Sequence, residues 1–209
     1  MNRECLKLYA VTDRAWLRGE TLADQVEKAI RGGVTMVQLR EKDLDFEQFL
    51  AEALTLRELC GRYHVPFIVN DSVEIARLCN ADGVHVGQED RSVAEARQML
   101  GQDRIIGATC KTVKQALEAQ RQGADYIGSG AVFPSTAKPE AVPISRETLE
   151  GICASVQIPV VAIGGITLDY LTVLRGTGIA GVAVVSAVFA QPDITTAAEE
   201  LNQAVTQIL

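Results

Sequence analysis

Gln38-Leu39-Arg40-Glu41-Lys42 puts an amide and two cations directly behind the apolar pair Met36-Val37. In an extended strand alternate side chains share a face, so Met36, Gln38 and Arg40 point one way and Val37 and Leu39 the other. An amide inside so apolar a strand needs a partner, because a buried polar group left unpaired costs about 1–3 kcal/mol. The chemistry this cluster suits is the binding of an anion; the plainer reading is a charged, solvated loop. Two carboxylates follow comparable runs, Asp71 in Ile68-Val69-Asn70-Asp71 and Asp90 in Val84-His85-Val86-Gly87-Gln88-Glu89-Asp90. Two carboxylates backed by Asn70 and Gln88 suit Mg2+, which takes few protein oxygens and completes its octahedron with water and substrate phosphate. Asp71 also has a structural reading, since with Glu74 it makes a capping box for a following helix. Asp90 has no such duty, because Ser92 with Glu95 makes the better box.

Further candidates sit behind other apolar runs. Gly107-Ala108 leads to Thr109, Cys110 and Lys111. The stretch from Ser129 to Pro139 holds Ser135, Thr136, Ala137 and Lys138 between prolines that stiffen it, in the manner of a lid or an anion clamp. Gly164-Gly165 and Val185-Ser186 supply glycines and a hydroxyl where a phosphate is to be held by backbone N–H groups. His85 reads as a hydrogen-bonded core histidine, His64 as a surface residue away from the site, and Cys110 as an inert thiol. GxSxG, HExxH and Walker A motifs are absent, so nucleophilic serine chemistry and zinc hydrolysis are unsupported.

These residues must be positioned by short β-branched runs that alternate with amphipathic stretches. Strands are expected at Leu8–Thr12, Met36–Arg40, Phe67–Asn70, Gly83–Val86, Ile105–Ala108, Tyr126–Gly128, Val160–Ile163 and Gly181–Val185. Helices are expected near Leu22–Arg31, Phe46–Tyr63, Val73–Cys79, Val93–Leu100, Val113–Gln122, Arg146–Ser155, Leu168–Arg175 and Thr195–Ile208. Eight such units with no linker predict an α/β fold, a (β/α)8 TIM barrel formed as a single domain over residues 1–209. Small residues carry the chain into the second, fourth, sixth and eighth strands at Gly33, Asn80, Gly123 and Gly178, where a left-handed helix cap is easy. A doubly wound sheet is the structural alternative, but no GxGxxG follows the first strand.

The chain has 209 residues, 47% of them apolar, and 20 basic against 27 acidic residues give a net charge of −7. That balance argues against a nucleic-acid partner. Five scattered cysteines without a CxxC pair argue against disulfides and zinc and for a reducing, cytoplasmic setting. No apolar stretch is long enough for a membrane span. Small phosphorylated substrates are the expected partners, and a homo-oligomer is possible.

Taken together, Tyr9-Ala-Val-Thr-Asp13, Gln38–Lys42, Val69-Asn-Asp71, Ala81–Asp90, Gly123–Gly128, Phe133–Lys138, Ala162–Ile166 and Val182–Ser186 make the chain resemble the thiamine-phosphate synthase family almost end to end. The resemblance implies condensation of hydroxymethylpyrimidine diphosphate with a thiazole phosphate, carboxylated or not, by a dissociative displacement assisted by Mg2+. It implies Asp71 and Asp90 as metal ligands. Gln38, Leu39, Arg40, Glu41, Lys42, Asn70, Thr109 and Lys138 are implied as contacts to the pyrimidine diphosphate. Ser135, Thr136, Ala137, Gly165, Val185 and Ser186 are implied as contacts to the thiazole phosphate. Arg40, Lys42 and Lys138 would stabilise the departing diphosphate. The family usually has Ser at Thr109, which keeps the hydroxyl, and Thr at Ala137, which does not. The missing hydrogen bond at Ala137 is expected to weaken thiazole phosphate binding by about 0.5–1.5 kcal/mol. The alternatives are an isomerase resembling the thiazole tautomerase, a phosphate-binding barrel isomerase of sugar or tryptophan metabolism, and a barrel that binds precursors without catalysis.

Overall fold

A computed structural model describes residues 1–134 and 142–209. Eight parallel strands close on themselves in sequence order: β1 (Leu8–Val11), β2 (Met36–Leu39), β3 (Phe67–Asn70), β4 (Gly83–Val86), β5 (Ile105–Cys110), β6 (Tyr126–Gly130), β7 (Val160–Ile163) and β8 (Gly181–Val184). Between and after them run α1 (Leu22–Arg31), α2 (Phe46–Arg62), α3 (Val73–Leu78), α4 (Val93–Leu100), α5 (Val113–Arg121), α6 (Arg146–Ser155), α7 (Leu168–Leu171), α8 (Ser186–Phe189) and α9 (Ile194–Ile208). This is the expected (β/α)8 barrel. Short 3₁₀ turns at Arg3–Leu6, Arg14–Trp16 and Thr172–Leu174 supplement it.

The period of two sorts the strand residues into two layers. Tyr9, Val11, Met36, Ile68, Tyr126, Val161 and Ala183 fill the barrel. Ala10, Val37, Leu39, Val69, Val84, Val86, Ile106 and Val182 face the helices in the larger core. Polar side chains cap every helix but α7 and α8 at the strand-end side: Thr21 and Ser92 form full capping boxes with Asp24 and Glu95, and Asp45, Ser72, Thr112, Ser145 and Asp193 accept from helix backbone N–H groups. The return into the strands passes through left-handed residues at Gly33, Asn80, Gly123 and Gly178, as the repeated small residues predict.

Differences from expectation concern ends. Thr12, Arg40 and Val185 lie one residue past β1, β2 and β8, while β5 and β6 each run two residues further than expected. The single turn α8 has no periodic signal to read, being too short for one. Among the described residues no helix is long and apolar enough to cross a membrane.

Candidate active site

At the C-terminal end of β2 the chain is pinned by Thr12. Its backbone N–H donates to the Gln38 carbonyl at 2.9 Å, and its Oγ1 accepts from the Arg40 N–H at 3.0 Å. Thr12 is wholly buried, so Arg40 leaves the strand from a fixed point. Arg40 is half-buried and Lys42 is exposed, and among the described residues neither is in an ion pair. Glu41 turns away. Arg14 Nε donates to both of its carboxylate oxygens, at 2.8 and 2.9 Å, and a second guanidinium nitrogen reaches Glu52 at 2.5 Å. Burial raises the Glu41 carboxyl above its ordinary range, opposed by Arg14. The Glu41 side chain is thus held by Arg14, which leaves the rim cationic. Leu39 packs among the helices and offers only its main chain.

The ends of β3 and β4 bring the two aspartates together. Asp71 adopts φ 64°, and its N–H donates to the His85 carbonyl at 2.8 Å, which bends its side chain out of the strand path. Asp90 comes within hydrogen-bond reach of it. Loss of hydration, then the hydrogen bond and charge of Asp90, push the Asp71 carboxyl up to about 6, while Arg40 and Asn70 pull it back. Three sequence readings are corrected here. The helix cap of α3 is Ser72, whose hydroxyl accepts from the Ile75 N–H, so Asp71 is released from capping. Asp90 does have a local duty, accepting the Gly87 N–H at 2.7 Å, which leaves its other oxygen for a further partner. Gln88 does not back the carboxylates: its amide donates to the Thr109 carbonyl at 2.6 Å and ties the β4 loop to β5. Among the described residues no group of three or more His, Cys, Asp or Glu side chains gathers, so a cation here would rest on two carboxylates and neutral oxygens.

Inside the barrel, His85 is a core histidine as expected, with Nδ1 at 2.9 Å from the Tyr126 hydroxyl and Nε2 at 2.9 Å from Thr109 Oγ1. Burial drives it down to about 4, so it is neutral at pH 7. Cys110 is buried and pushed up to about 12, which makes it inert. His64 lies exposed at the helix-to-strand return before β3, away from the mouth. Gly164 and Gly165 pass under the loop that follows β6. Val132 N–H donates to the Ile163 carbonyl at 2.9 Å and Phe133 N–H to the Gly164 carbonyl at 3.1 Å. Val185 and Ser186 are half-buried, and Ser186 opens α8 with no side-chain cap, so among the described residues the N–H groups of Ser186 and Ala187 have no partner at the end of β8. Ser135, Thr136, Ala137 and Lys138 lie outside the described residues.

Sequence reasoning missed Thr12, Arg14, Tyr9 and Tyr126. Thr12 was visible as a hydroxyl at the end of an apolar strand. The others are defined by partners far along the chain.

Comparison with known proteins gives the barrel its family. The family described as thiamine monophosphate synthase matches residues 8–188. The thiamine-phosphate synthase of Ruminiclostridium cellulolyticum is 47% identical over 194 residues, 93% of this chain and 92% of the relative. That of Clostridium tetani is 44% identical over 201 residues, 96% of each. Among solved structures, the thiamine phosphate pyrophosphorylase of Pyrococcus furiosus superposes with a TM-score of 0.91 at 40% identity, covering 99% of this chain and 98% of that one. A KGPDC from Streptococcus mutans reaches 0.74 at 12% identity over 98% and 99%, a likeness of fold alone. Because a barrel by itself hosts many chemistries, it is the extent of the sequence match that decides between them, and on it the chain belongs to the thiamine monophosphate synthase family of transferases.

Proposed function

We propose that the chain joins hydroxymethylpyrimidine diphosphate to a thiazole phosphate at the mouth of the barrel, releasing diphosphate and yielding thiamine phosphate. The observation that carries this reading is the juxtaposition of Asp71 and Asp90 beside Arg40. Paired carboxylates next to a cationic rim suit a diphosphate together with the divalent cation that accompanies it. The pair also passes a test of fit for Mg2+. The two carboxylates offer hard oxygens whose mutual repulsion Arg40 offsets only in part, and Asn70 stands beside them. Bound there, Mg2+ would supply charge neutralisation of the departing diphosphate.

The chain's own residues do the rest. Arg40 and Lys42 bind the diphosphate oxygens from the β2 rim, with Lys138 as a third cation for them. Gln38 and Thr109 orient the pyrimidine ring, whose electron-rich character tolerates positive charge at the methylene as the C–O bond breaks. Main-chain N–H groups at Gly165 and Ser186 hold the thiazole phosphate so that the ring nitrogen faces that carbon, and Ser135, Thr136 and Ala137 are further contacts to that phosphate. No protein nucleophile is needed, and His85 and Cys110, neutral and buried, are unsuited to be one. Catalysis is positioning and charge stabilisation.

The test is direct. Both precursors, mixed with the pure protein with and without Mg2+, should give thiamine phosphate only with the cation; no Mg2+-dependent product would defeat the reading. A pH dependence follows from the same pair. A proton held up to about pH 6 at Asp71 competes with the cation. The Mg2+ concentration for half-maximal rate should therefore be flat above pH 7 and rise about tenfold for each unit below 6, as expected for exchange of one proton. A flat profile from pH 5 to 8 would show that Asp71 does not take part.

A further inference from the structure

A chain of hydrogen bonds crosses the barrel floor beneath the mouth. Gln38 Nε2 donates to the Tyr9 hydroxyl at 2.6 Å, the Tyr9 and Tyr126 hydroxyls are 2.8 Å apart, Tyr126 meets His85 Nδ1 at 2.9 Å, and His85 Nε2 meets Thr109 Oγ1 at 2.9 Å. It links β2, β1, β6, β4 and β5, and its two ends are residues assigned above to the pyrimidine. Tyr9 and Tyr126 are sealed from solvent, and Gln38 and His85 nearly so. The barrel makes room for it: a Cβ on Gly107 would lie 2.1 Å from the Tyr126 ring, and one on Gly128 would lie 3.0 Å from the His85 ring.

Tyr9, Tyr126, neutral His85 and Thr109 each have one proton to give, so the Gln38 end sets the direction of all. The Gln38 NH2 can only donate, hence Tyr9 O accepts there and its proton goes to Tyr126. Tyr126 then donates to Nδ1 of His85, which makes His85 the neutral Nε2–H tautomer. Nε2–H donates to Thr109, whose own proton is left to point outward. An imidazolium would keep the link to Thr109 but reverse those between His85 and Tyr126 and between Tyr126 and Tyr9, and so set the Tyr9 proton against the Gln38 amide. At the other end, Gln38 Oε1 accepts no hydrogen bond among the described residues and is not sealed from solvent.

We infer that Tyr9, Tyr126 and His85 are positioning residues that lock Gln38 as a hydrogen-bond acceptor and Thr109 as a donor toward the pyrimidine, and so select a ring presenting an amino group on one edge and a ring nitrogen on another. The inference rests on the proposed substrate. It predicts discrimination against the analogue in which the amino group is replaced by oxo, because its edge offers acceptor and donor in the opposite order.

The experiment measures binding by calorimetry, apart from turnover. Wild type, Tyr126→Phe and Tyr9→Phe are titrated with the aminopyrimidine diphosphate and with its oxo analogue. Both variants interrupt the chain without loss of volume elsewhere, and thermal melts check that each is folded. Wild type should prefer the amino ligand by about a hundredfold, the preference should fall about tenfold in each variant, and the KM for thiazole phosphate should be unchanged. Nitrogen-15 shifts of His85 should report a single Nε2–H tautomer in wild type and a mixture in Tyr9→Phe. A preference retained in the folded variants, or the Nδ1–H tautomer in wild type, overturns the inference. Should the pure protein form no thiamine phosphate yet show this preference and its loss, the reaction assignment fails while the relay stands.

Discussion

An Asp71→Asn protein should fold, bind both precursors, and form thiamine phosphate about a hundred to a thousand times more slowly than wild type at saturating Mg2+, the loss typical when one charge-stabilising contact to a transition state is removed. The substitution is nearly isosteric, and the backbone tolerates it: Asp71 sits at φ 64°, a left-handed position where Asn is among the most favoured residues after Gly. The α3 cap is Ser72 and is untouched. What changes is charge. In the metal-free protein the Asp71 carboxyl is raised to about 6 from an ordinary value near 4 by its surroundings and by Asp90. A carboxyl whose folded value is raised favours the native state while it is protonated, and that contribution is lost as pH rises from about 4 through about 6. Wild-type melting temperature without Mg2+ should accordingly decline across that window, and Asp71→Asn should remove the decline. One substitution thus gives a catalytic defect and a flatter stability profile together. Mg2+-dependent turnover within tenfold of wild type would sink the role given to the carboxylate.

The Asp71 case also shows what was and was not legible in the sequence. The barrel was, because alternation sorted Val37 and Leu39 from Met36 and Gln38, and the helix-to-strand returns at Gly33, Asn80, Gly123 and Gly178 repeat a local conformational need. Such signals lie within a few residues of each other. Capping was legible only in part, since Asp71 with Glu74 and Ser72 with Ile75 are both admissible locally. The choice between them is made by the Asp71 N–H reaching the His85 carbonyl on the next strand. That Arg14 holds the Glu41 carboxylate was not legible, because Arg14 is 27 residues away, and neither was the bond between the Tyr9 and Tyr126 hydroxyls, 117 residues apart. The partners that turn a polar residue into scaffold, or a core tyrosine into part of a site, are set by barrel closure.

The phosphate side yields the second large effect. In Gly165→Ala the new Cβ would stand 2.2 Å from the Pro134 carbonyl oxygen and 2.7 Å from that of Phe133, at a backbone φ of 64°. Neither oxygen belongs to a flexible side-chain end, so the main chain must move. The β6 loop resists, held to β7 through Val132 and Phe133, with Phe133 stacked on Tyr170 of α7 at 4.8 Å. Displacement therefore falls on the Gly165 N–H, the group proposed to meet the thiazole phosphate. A misplacement of about 1 Å is enough to cost about a hundredfold, so the KM for thiazole phosphate should rise by about that factor while binding of the pyrimidine diphosphate stays near wild type. Gly101→Ala separates strain from displacement. Gly101 has φ 85° but open space where its Cβ would go, at the end of α4 on the far side of the barrel. It should lose about 1 kcal/mol of stability from the left-handed backbone alone and keep both KM values. If Gly165→Ala behaves like Gly101→Ala, losing stability but not affinity for thiazole phosphate, the Gly165 N–H is not part of the phosphate site.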